Sequence, residues 1–198
     1  MTCQSAPDEL LPWTDRVVYK MAHSLLPVCD YFNLTPNYVT ILSFFCGLLS
    51  VYFICRGQVY LGIFVFFFAN LFDSLDGCVA RKFHMTSKFG DALDHNKDAI
   101  IFVLLCVVVV HRYWNVLSTT AWVILIALLI IVYVLSCTYL CCANMYMNKD
   151  NSFENYTCLC DPDPRKRAKE LVNFAPTNIV LLGLVCIAVL EHVKQSQM

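Results

Sequence analysis

Five apolar stretches constrain the fold of this chain more than any other feature of its sequence. A helix needs roughly 20 residues to cross about 30 Å of hydrocarbon. The stretches cover residues 38–55, 59–72, 99–110, 116–147 and 177–190. Apolar residues make up 59% of the 198 residues and charged residues only 15%, which is unusual for a soluble domain. The sequence therefore predicts an all-α integral membrane protein.

Two of these stretches reach the required length only by including acidic residues. The stretch 59–72 must continue through Asp73 and Asp76, and the stretch 99–110 must begin early enough to include Asp94 and Asp98. Carboxylates inside a membrane are costly and usually mark a functional site. We predict a bundle of five to six transmembrane helices, since a weaker sixth helix is compatible with the pattern.

The basic residues predict the orientation of this bundle. With five spans, all Lys and Arg residues except Arg56, Arg112 and Lys194 fall on the side of the N-terminus. Short cytoplasmic loops collect Lys and Arg, so the N-terminus and the four aspartates are expected to face the cytoplasm. A net charge of -1 does not fit a dedicated nucleic-acid binder, and no nucleic-acid partner is expected.

We expect one membrane domain over residues 1–198, with a cytoplasmic or interfacial segment 1–37 and the bundle over 38–193. In the first segment, apolar residues recur at helical spacing, namely Trp13, Val17, Val18, Met21 and Leu25. This predicts either an amphipathic helix lying in the membrane interface or a soluble helix packed on the bundle. The polar segment 148–167 predicts a loop that leads into the start of a basic helix.

The 12 cysteines are expected to be free thiols in a reducing compartment, because most of them lie in apolar runs. Cys141 and Cys142 with Cys158 and Cys160 are an alternative metal cluster. Their spacing does not match a zinc knuckle.

The four membrane carboxylates share a regular spacing with small residues. On the earlier helix, one face holds Asp73, Asp76, Gly77 and Ala80. Asp94 and Asp98 are four residues apart on the next helix, and the short connection makes the two helices antiparallel neighbours. All four carboxylates are therefore expected to lie close together.

Clustered carboxylates predict a site for Mg²⁺ or Mn²⁺, with ligands enough for two ions. Zinc fits less well, because only His84 and His95 accompany the aspartates. A proton or cation path through the membrane is the competing use of such acids. It does not explain why Arg81 and Gly90 accompany them.

These residues together resemble a known signature. Asp73-x-x-Asp76-Gly77-x-x-Ala80-Arg81, eight further residues, and Gly90-x-x-x-Asp94-x-x-x-Asp98 match every fixed position of the CDP-alcohol phosphotransferases. The run from Pro36 to Thr40 weakly resembles the start of the first transmembrane helix in that family.

The resemblance implies an enzyme of phospholipid biosynthesis that moves a substituted phosphate from a CDP-linked donor to an alcohol and releases CMP. Its partners would be a CDP-linked lipid or aminoalcohol donor, an alcohol or diacylglycerol acceptor, and membrane lipids. The family fold is usually six transmembrane helices after an interfacial helix, with the active site open to the cytoplasm. A homodimer, and the endoplasmic reticulum if the chain is eukaryotic, are further expectations.

By position in the signature, Asp73, Asp76 and Asp94 would bind two Mg²⁺ or Mn²⁺ ions. Asp98 would contact a metal and accept the proton of the attacking hydroxyl. His95 is a second catalytic candidate, because Asp94-His95-x-x-Asp98 resembles the Asp-His-x-x-Asp of aminoalcohol phosphotransferases. Its alternative is a histidine on the helix surface.

The resemblance also implies a set of residues that bind the CDP donor, namely Gly77, Ala80, Arg81, Ser87, Gly90, Asn37 and Thr40. Other charged residues have simpler interpretations: Asp91 as a helix-start charge, and Lys82, Lys88 and Lys97 as loop charges or headgroup contacts.

The chain length favours a CDP-diacylglycerol-dependent phosphatidyltransferase, and the neutral Ser43 weakens the case for a phosphorylated acceptor. The Asp-His pair favours a phosphotransferase that uses CDP-choline or CDP-ethanolamine with diacylglycerol. An intramembrane cation or proton transporter and an inert scaffold are the non-enzyme alternatives.

Overall fold

The structure is a computed structural model that describes residues 7–147 and 163–196. Every regular element in these residues is helical, which confirms the prediction of an all-α protein. The α-helices are α1 (Trp13–Tyr31), α2 (Pro36–Cys55), α3 (Val59–Lys82), α4 (Lys88–Tyr113), α5 (Thr119–Met147), α6 (Pro164–Glu170) and α7 (Pro176–Ser196). Short 3-10 helices lie at Asp8–Leu10 and Val172–Phe174.

Four of the helices, α2, α3, α5 and α7, contain segments long and apolar enough to cross a membrane. The acidic and basic side chains near the start of α4 keep that helix outside this group. Asp94 and Arg112 are 18 residues apart along α4, a rise of about 27 Å, and the hydrocarbon core is about 30 Å thick. An apolar middle of this length between charged ends is compatible with a fifth span, and the count of five to six stays a prediction.

The described chain divides into two compact units. The first contains residues 17–116 and 186–196, and the second contains residues 7–16, 117–147 and 163–185. The single domain expected from the sequence stays a prediction.

In the first unit, α1 packs against α2 and α3 through one apolar face. The buried residues of this core are Val18, Ala22, Leu26, Cys29, Val39, Leu71, Leu75, Cys78 and Val79. Trp13, Val17 and Met21 lie on the other face and are exposed. The helix therefore packs on its unit and also presents apolar side chains, the pattern expected of a helix at the membrane interface.

Small residues allow α2 to lie close to both α3 and α4. A Cβ atom added to Gly62 would lie 2.5 Å from Cγ1 of Ile54, and Ser50 Oγ donates a hydrogen bond to the Gly62 carbonyl at 2.8 Å. On α4, Ile101 Cδ1 would lie 2.9 Å from a Cβ at Gly47. Such close contact between helices is typical of membrane proteins.

A buried polar cluster joins the C-terminal end of α4 to α7. Arg112 donates to both carboxylate oxygens of Glu191, at 2.6 and 3.1 Å. The buried Tyr113 hydroxyl also donates to Glu191, at 2.8 Å, and Lys194 Nζ donates to the Arg112 carbonyl at 3.3 Å. Gly57, at φ +85, leaves room for the Arg112 guanidinium beside the turn between α2 and α3.

We expect Glu191→Ala to lower the free energy of unfolding by about 3 kcal/mol, because it leaves the half-buried Arg112 guanidinium and the buried Tyr113 hydroxyl without their partner. Thermal unfolding in detergent micelles measures the loss. Glu191→Gln, which keeps an acceptor for Tyr113 and removes the charge, should lose less. Equal stability of Glu191→Ala and the wild-type chain would contradict a structural role for this cluster.

In the second unit, Tyr139 OH donates to the Leu10 carbonyl at 2.6 Å. Asp163 caps α6 by accepting from the backbone N–H groups of Arg165 and Lys166, at 3.1 and 3.3 Å, which confirms the predicted start of a basic helix. The rest of segment 148–167, up to residue 162, lies outside the described residues. Hydrogen bonds from Lys169 and Arg165 hold the pKa of Glu9 below its usual value.

The expectation of free thiols holds for several described cysteines, namely Cys29, Cys46, Cys55, Cys106, Cys137 and Cys186. It was wrong for Cys78 and Cys142, which are disulfide-bonded. Both lie in helices and are buried, where Cys usually behaves as a small apolar residue. Cys158 and Cys160 lie outside the described residues.

Candidate active site

The candidate site begins on α3, which has two different faces near its C-terminal end. Leu71 and Leu75 are buried in the core formed with α1. Asp73 and Asp76 follow them by one or two positions, which turns their side chains to a different face of the helix. One face of α3 therefore carries the aspartates, and another face packs against the core of the first unit through Leu71 and Leu75.

The signature aspartates of α3 and α4 converge. One carboxylate oxygen from each of Asp73, Asp76 and Asp94 lies within 4.8 Å of the others, and we name these three residues together with Asp98 the carboxylate cluster. Asp94 Oδ1 is buried and, within the described residues, accepts no well-aligned hydrogen bond. The Lys97 ammonium group lies 2.9 Å from this atom as an ion pair, and an oxygen held by charge without an aligned hydrogen bond keeps lone pairs for a cation.

Thr40 on α2 positions one carboxylate of the cluster. Its hydroxyl donates to Asp76 Oδ2 at 2.6 Å, and both side chains are buried. A carboxylate oxygen that accepts this bond still has lone pairs for a cation. The structure therefore places Thr40 beside the cluster. The resemblance had implied a role for Thr40 in binding the CDP donor.

Lys97 also lies in the cluster, contrary to its interpretation as a loop charge or headgroup contact. Its side chain is only 5% exposed, and its ammonium group forms ion pairs with Asp73, with Asp94 at 2.9 Å and with Asp98 at 3.0 Å. The sequence does contain a signal, because Lys97 follows Asp94 by three residues and such pairs meet on a helix.

Asp98 is the most accessible member of the cluster. Its side chain is 63% exposed, and its Oδ1 accepts a hydrogen bond from Lys97. His95 is exposed on the same helix. A carboxylate more exposed than its neighbours can meet a group that enters from outside the protein.

Gly77 and Arg81 lie together one turn apart on α3. The Arg81 guanidinium lies over Gly77, where an added Cβ would be 3.1 Å from Nη1. Ala80 is half-buried, and its carbonyl accepts from the Met85 N–H at 2.9 Å just beyond the end of the helix. The small residue at position 77 thus allows the guanidinium to lie against the helix, and a guanidinium is the side chain best suited to bind phosphate.

The start of α4 brings three further predicted residues together. Ser87 is the N-cap and accepts from the Gly90 N–H at 3.0 Å. A Cβ on Gly90 would lie 3.1 Å from Ser87 Oγ and 3.3 Å from Asn37 Oδ1. Asn37 on α2 and Gly90 on α4 are therefore neighbours.

The donor set of the cluster fits a hard divalent cation. Mg²⁺ and Mn²⁺ prefer oxygen ligands, and three carboxylates with neighbouring oxygens, one of them without an aligned hydrogen bond, supply such ligands. The alternative to a metal site is an acidic cluster that is neutralised by Lys97 alone. In that alternative the ammonium group of Lys97 alone forms ion pairs with three of the four carboxylates, and divalent ions would balance more of their charge.

Comparison with known proteins agrees with the signature. The family model described as CDP-alcohol phosphatidyltransferase matches residues 33–192. A CDP-diacylglycerol--serine O-phosphatidyltransferase of Methanocaldococcus jannaschii is 41% identical over 66 residues, which are 33% of this chain and 29% of that protein. The enzyme of the same name from Mycobacterium leprae is 36% identical over 93 residues, 46% of this chain and 30% of that one.

A third relative has a different acceptor in its name. A CDP-diacylglycerol--glycerol-3-phosphate 3-phosphatidyltransferase of Haemophilus influenzae is 32% identical over 84 residues, 41% of this chain and 44% of that protein. The matched part thus spans less than half the length of each of these curated relatives. No solved structure matches this chain.

Proposed function

Because the chain belongs to the CDP-alcohol phosphatidyltransferase family, we propose that it is a membrane enzyme of phospholipid biosynthesis that transfers a phosphatidyl group from CDP-diacylglycerol to a polar alcohol and releases CMP. The observation that carries the proposal is the convergence of Asp73, Asp76 and Asp94 to within 4.8 Å. Asp94 lies on α4 and the other two residues on α3, and a family signature without this geometry would not be able to bind a shared cation.

The names of the relatives support CDP-diacylglycerol as the donor. Serine is the acceptor named in two of the three, so serine is the first acceptor to test. A transferase that uses CDP-choline or CDP-ethanolamine with diacylglycerol is the second candidate, because the exposed His95 follows Asp94 as in the aminoalcohol phosphotransferases.

The proposed cofactor is Mg²⁺ or Mn²⁺, two ions as predicted, held by Asp73, Asp76, Asp94 and Asp98. When bound, such ions neutralise the negative charge of the donor pyrophosphate and of the leaving CMP. Thr40 holds the Asp76 carboxylate in place through its 2.6 Å hydrogen bond, so fewer conformations of this ligand must be restricted on binding.

The other residues bind and orient the substrates. Arg81, whose guanidinium lies over Gly77, contacts the donor phosphates, and Asn37, which lies beside Gly90, contacts the nucleotide. Asp98 accepts the proton of the acceptor hydroxyl while the hydroxyl oxygen bonds to the phosphatidyl phosphorus and the bond from that phosphorus to CMP breaks. Its exposed carboxylate is accessible to an acceptor that arrives from water.

The test is CMP release by the purified chain reconstituted in lipid vesicles. We expect release with CDP-diacylglycerol and serine in the presence of Mn²⁺ or Mg²⁺, and its loss when EDTA removes the metal. Inositol, glycerol phosphate, and CDP-choline or CDP-ethanolamine with diacylglycerol complete the panel. Release only with an aminoalcohol donor would establish the second candidate instead.

A folded chain that turns over no donor would contradict the proposed activity. Ion flux through the same vesicles would then be measured, because an intramembrane cation or proton path is the other use of these carboxylates. Arg81→Ala offers a control in the active preparation, since it should weaken use of the donor and leave the carboxylates in place.

A further inference from the structure

Lys97 is the cation that the structure places among the proposed metal ligands. Its ammonium group forms ion pairs with three of the four carboxylates. Its side chain is only 5% exposed. Neither the metal chemistry nor the transfer reaction requires this residue. A buried lysine among carboxylates therefore needs its own explanation.

Geometry makes the ammonium group and a divalent ion compete. The Nζ atom lies 2.9 Å from Asp94 Oδ1, and Asp94 is one of the three residues whose oxygens cluster within 4.8 Å. Mg²⁺ binds carboxylate oxygens at about 2.0 to 2.1 Å, so an ion on these oxygens would lie within a few ångströms of Nζ. Two positive charges that close repel strongly in a partly buried site.

The charge balance of the carboxylate cluster also favours competition between Lys97 and a divalent ion. Four carboxylates carry four negative charges, which two divalent ions balance completely without Lys97. Without metal, the ammonium group of Lys97 forms ion pairs with three members of the cluster. Its flexible four-carbon stem can carry the ammonium group away while the backbone of α4 stays in place.

We propose that Lys97 is a tethered counter-ion of the carboxylate cluster, which competes with divalent metal for the same oxygens and is displaced when metal binds. The inference rests on the metal site of the proposed function. Lys97 thereby sets the metal affinity and keeps the metal-free cluster folded, and it is a positioning residue that need not touch substrate.

Direct metal binding tests the inference on the full chain in detergent. Mn²⁺ binding, followed by electron paramagnetic resonance, should be at least about tenfold tighter in Lys97→Gln, because a nearby positive charge is removed. The matched control is Lys82→Gln, which removes an exposed lysine on α3 that lies over the Phe83 ring. Its Mn²⁺ affinity should stay within about twofold of the wild-type value, since exposed charges are well screened.

A second readout on the same variants is the melting temperature. Without metal, Lys97→Gln should melt below the wild-type chain because the carboxylates then repel one another, and Mn²⁺ should raise its melting temperature more than that of the wild type. Unchanged Mn²⁺ affinity in Lys97→Gln would overturn the inference and leave the proposed function intact. Absence of Mn²⁺ binding in the wild type and the variant alike would instead overturn the metal site itself.

The wild-type chain supplies a test that does not depend on the folding of a variant. An amine-reactive reagent followed by mass spectrometry measures the accessibility of each lysine. Labelling of Lys97 should be low in EDTA and should rise on addition of Mn²⁺, while labelling of the exposed Lys82 stays constant. Lys97 labelling that Mn²⁺ leaves unchanged or lowers would overturn displacement.

Discussion

Asp94→Asn is expected to remove Mn²⁺ binding at the carboxylate cluster and to lower CMP release by at least about 10³-fold, because the metal contributes several kcal/mol to transition-state stabilisation. Asp94 supplies one of the three converging oxygens, and its Oδ1 is the buried atom without an aligned hydrogen bond. An amide is a weaker ligand than a carboxylate and adds no negative charge. Mn²⁺ titration and the vesicle assay measure the two losses on one preparation.

The matched control is Asp91→Asn, which removes a carboxylate one turn earlier on α4. The sequence interprets Asp91 as a helix-start charge, so both Mn²⁺ affinity and CMP release should stay within about twofold of the wild-type values. If Asp94→Asn kept its metal affinity while Asp91→Asn lost it, the ligand set carried over from the family signature would be wrong for this chain.

The convergence of the aspartates could be predicted from the sequence because it follows from local geometry. A period of 3.6 residues places Asp73 and Asp76 on one side of α3, and a connection of five residues, 83–87, forces α4 to return beside it. The bounds of α3 and α4 confirm that both helices extend well beyond their apolar stretches. These conclusions need no knowledge of distant contacts.

The role of Lys97 could not be predicted in the same way. A lysine beside an apolar span usually extends its ammonium group to water or headgroups, and only the position of Asp73 on another helix makes the buried site favourable. The partnership of Arg112 with Glu191 is similar, because the two residues are 79 positions apart. Pairings of this kind depend on which helices become neighbours, which helical period alone does not specify.

The two faces of α1 illustrate an intermediate case. The spacing of apolar residues predicts the helix, and Val18 does lie in a core, with Leu25 packed against it. However, Val17 and Met21 are exposed, although they belong to the same predicted apolar set. When a helix is apolar on more than one side, its sequence does not specify which side packs against protein, because lipid and the protein interior are both apolar environments.

Asp98→Asn should separate proton transfer from metal binding. We expect CMP release to fall by about 10² to 10⁴-fold, the usual contribution of a general base, with most of the loss in kcat. Mn²⁺ should still bind, because Asp73, Asp76 and Asp94 converge without Asp98. The KM for the CDP-linked donor should change little, since the proposed mechanism assigns donor binding to Arg81 and assigns Asp98 to the acceptor.

His95→Asn completes this test, because His95 is the other candidate base. Its side chain is exposed, and we expect a loss of no more than about tenfold, below the usual contribution of a general base. The dependence of kcat on pH should keep its wild-type form in His95→Asn and lose its acidic limb in Asp98→Asn, because protonation of the base stops the reaction. A larger loss in His95→Asn than in Asp98→Asn would transfer the role of base to the histidine and, with it, favour the aminoalcohol phosphotransferases as the model for this site.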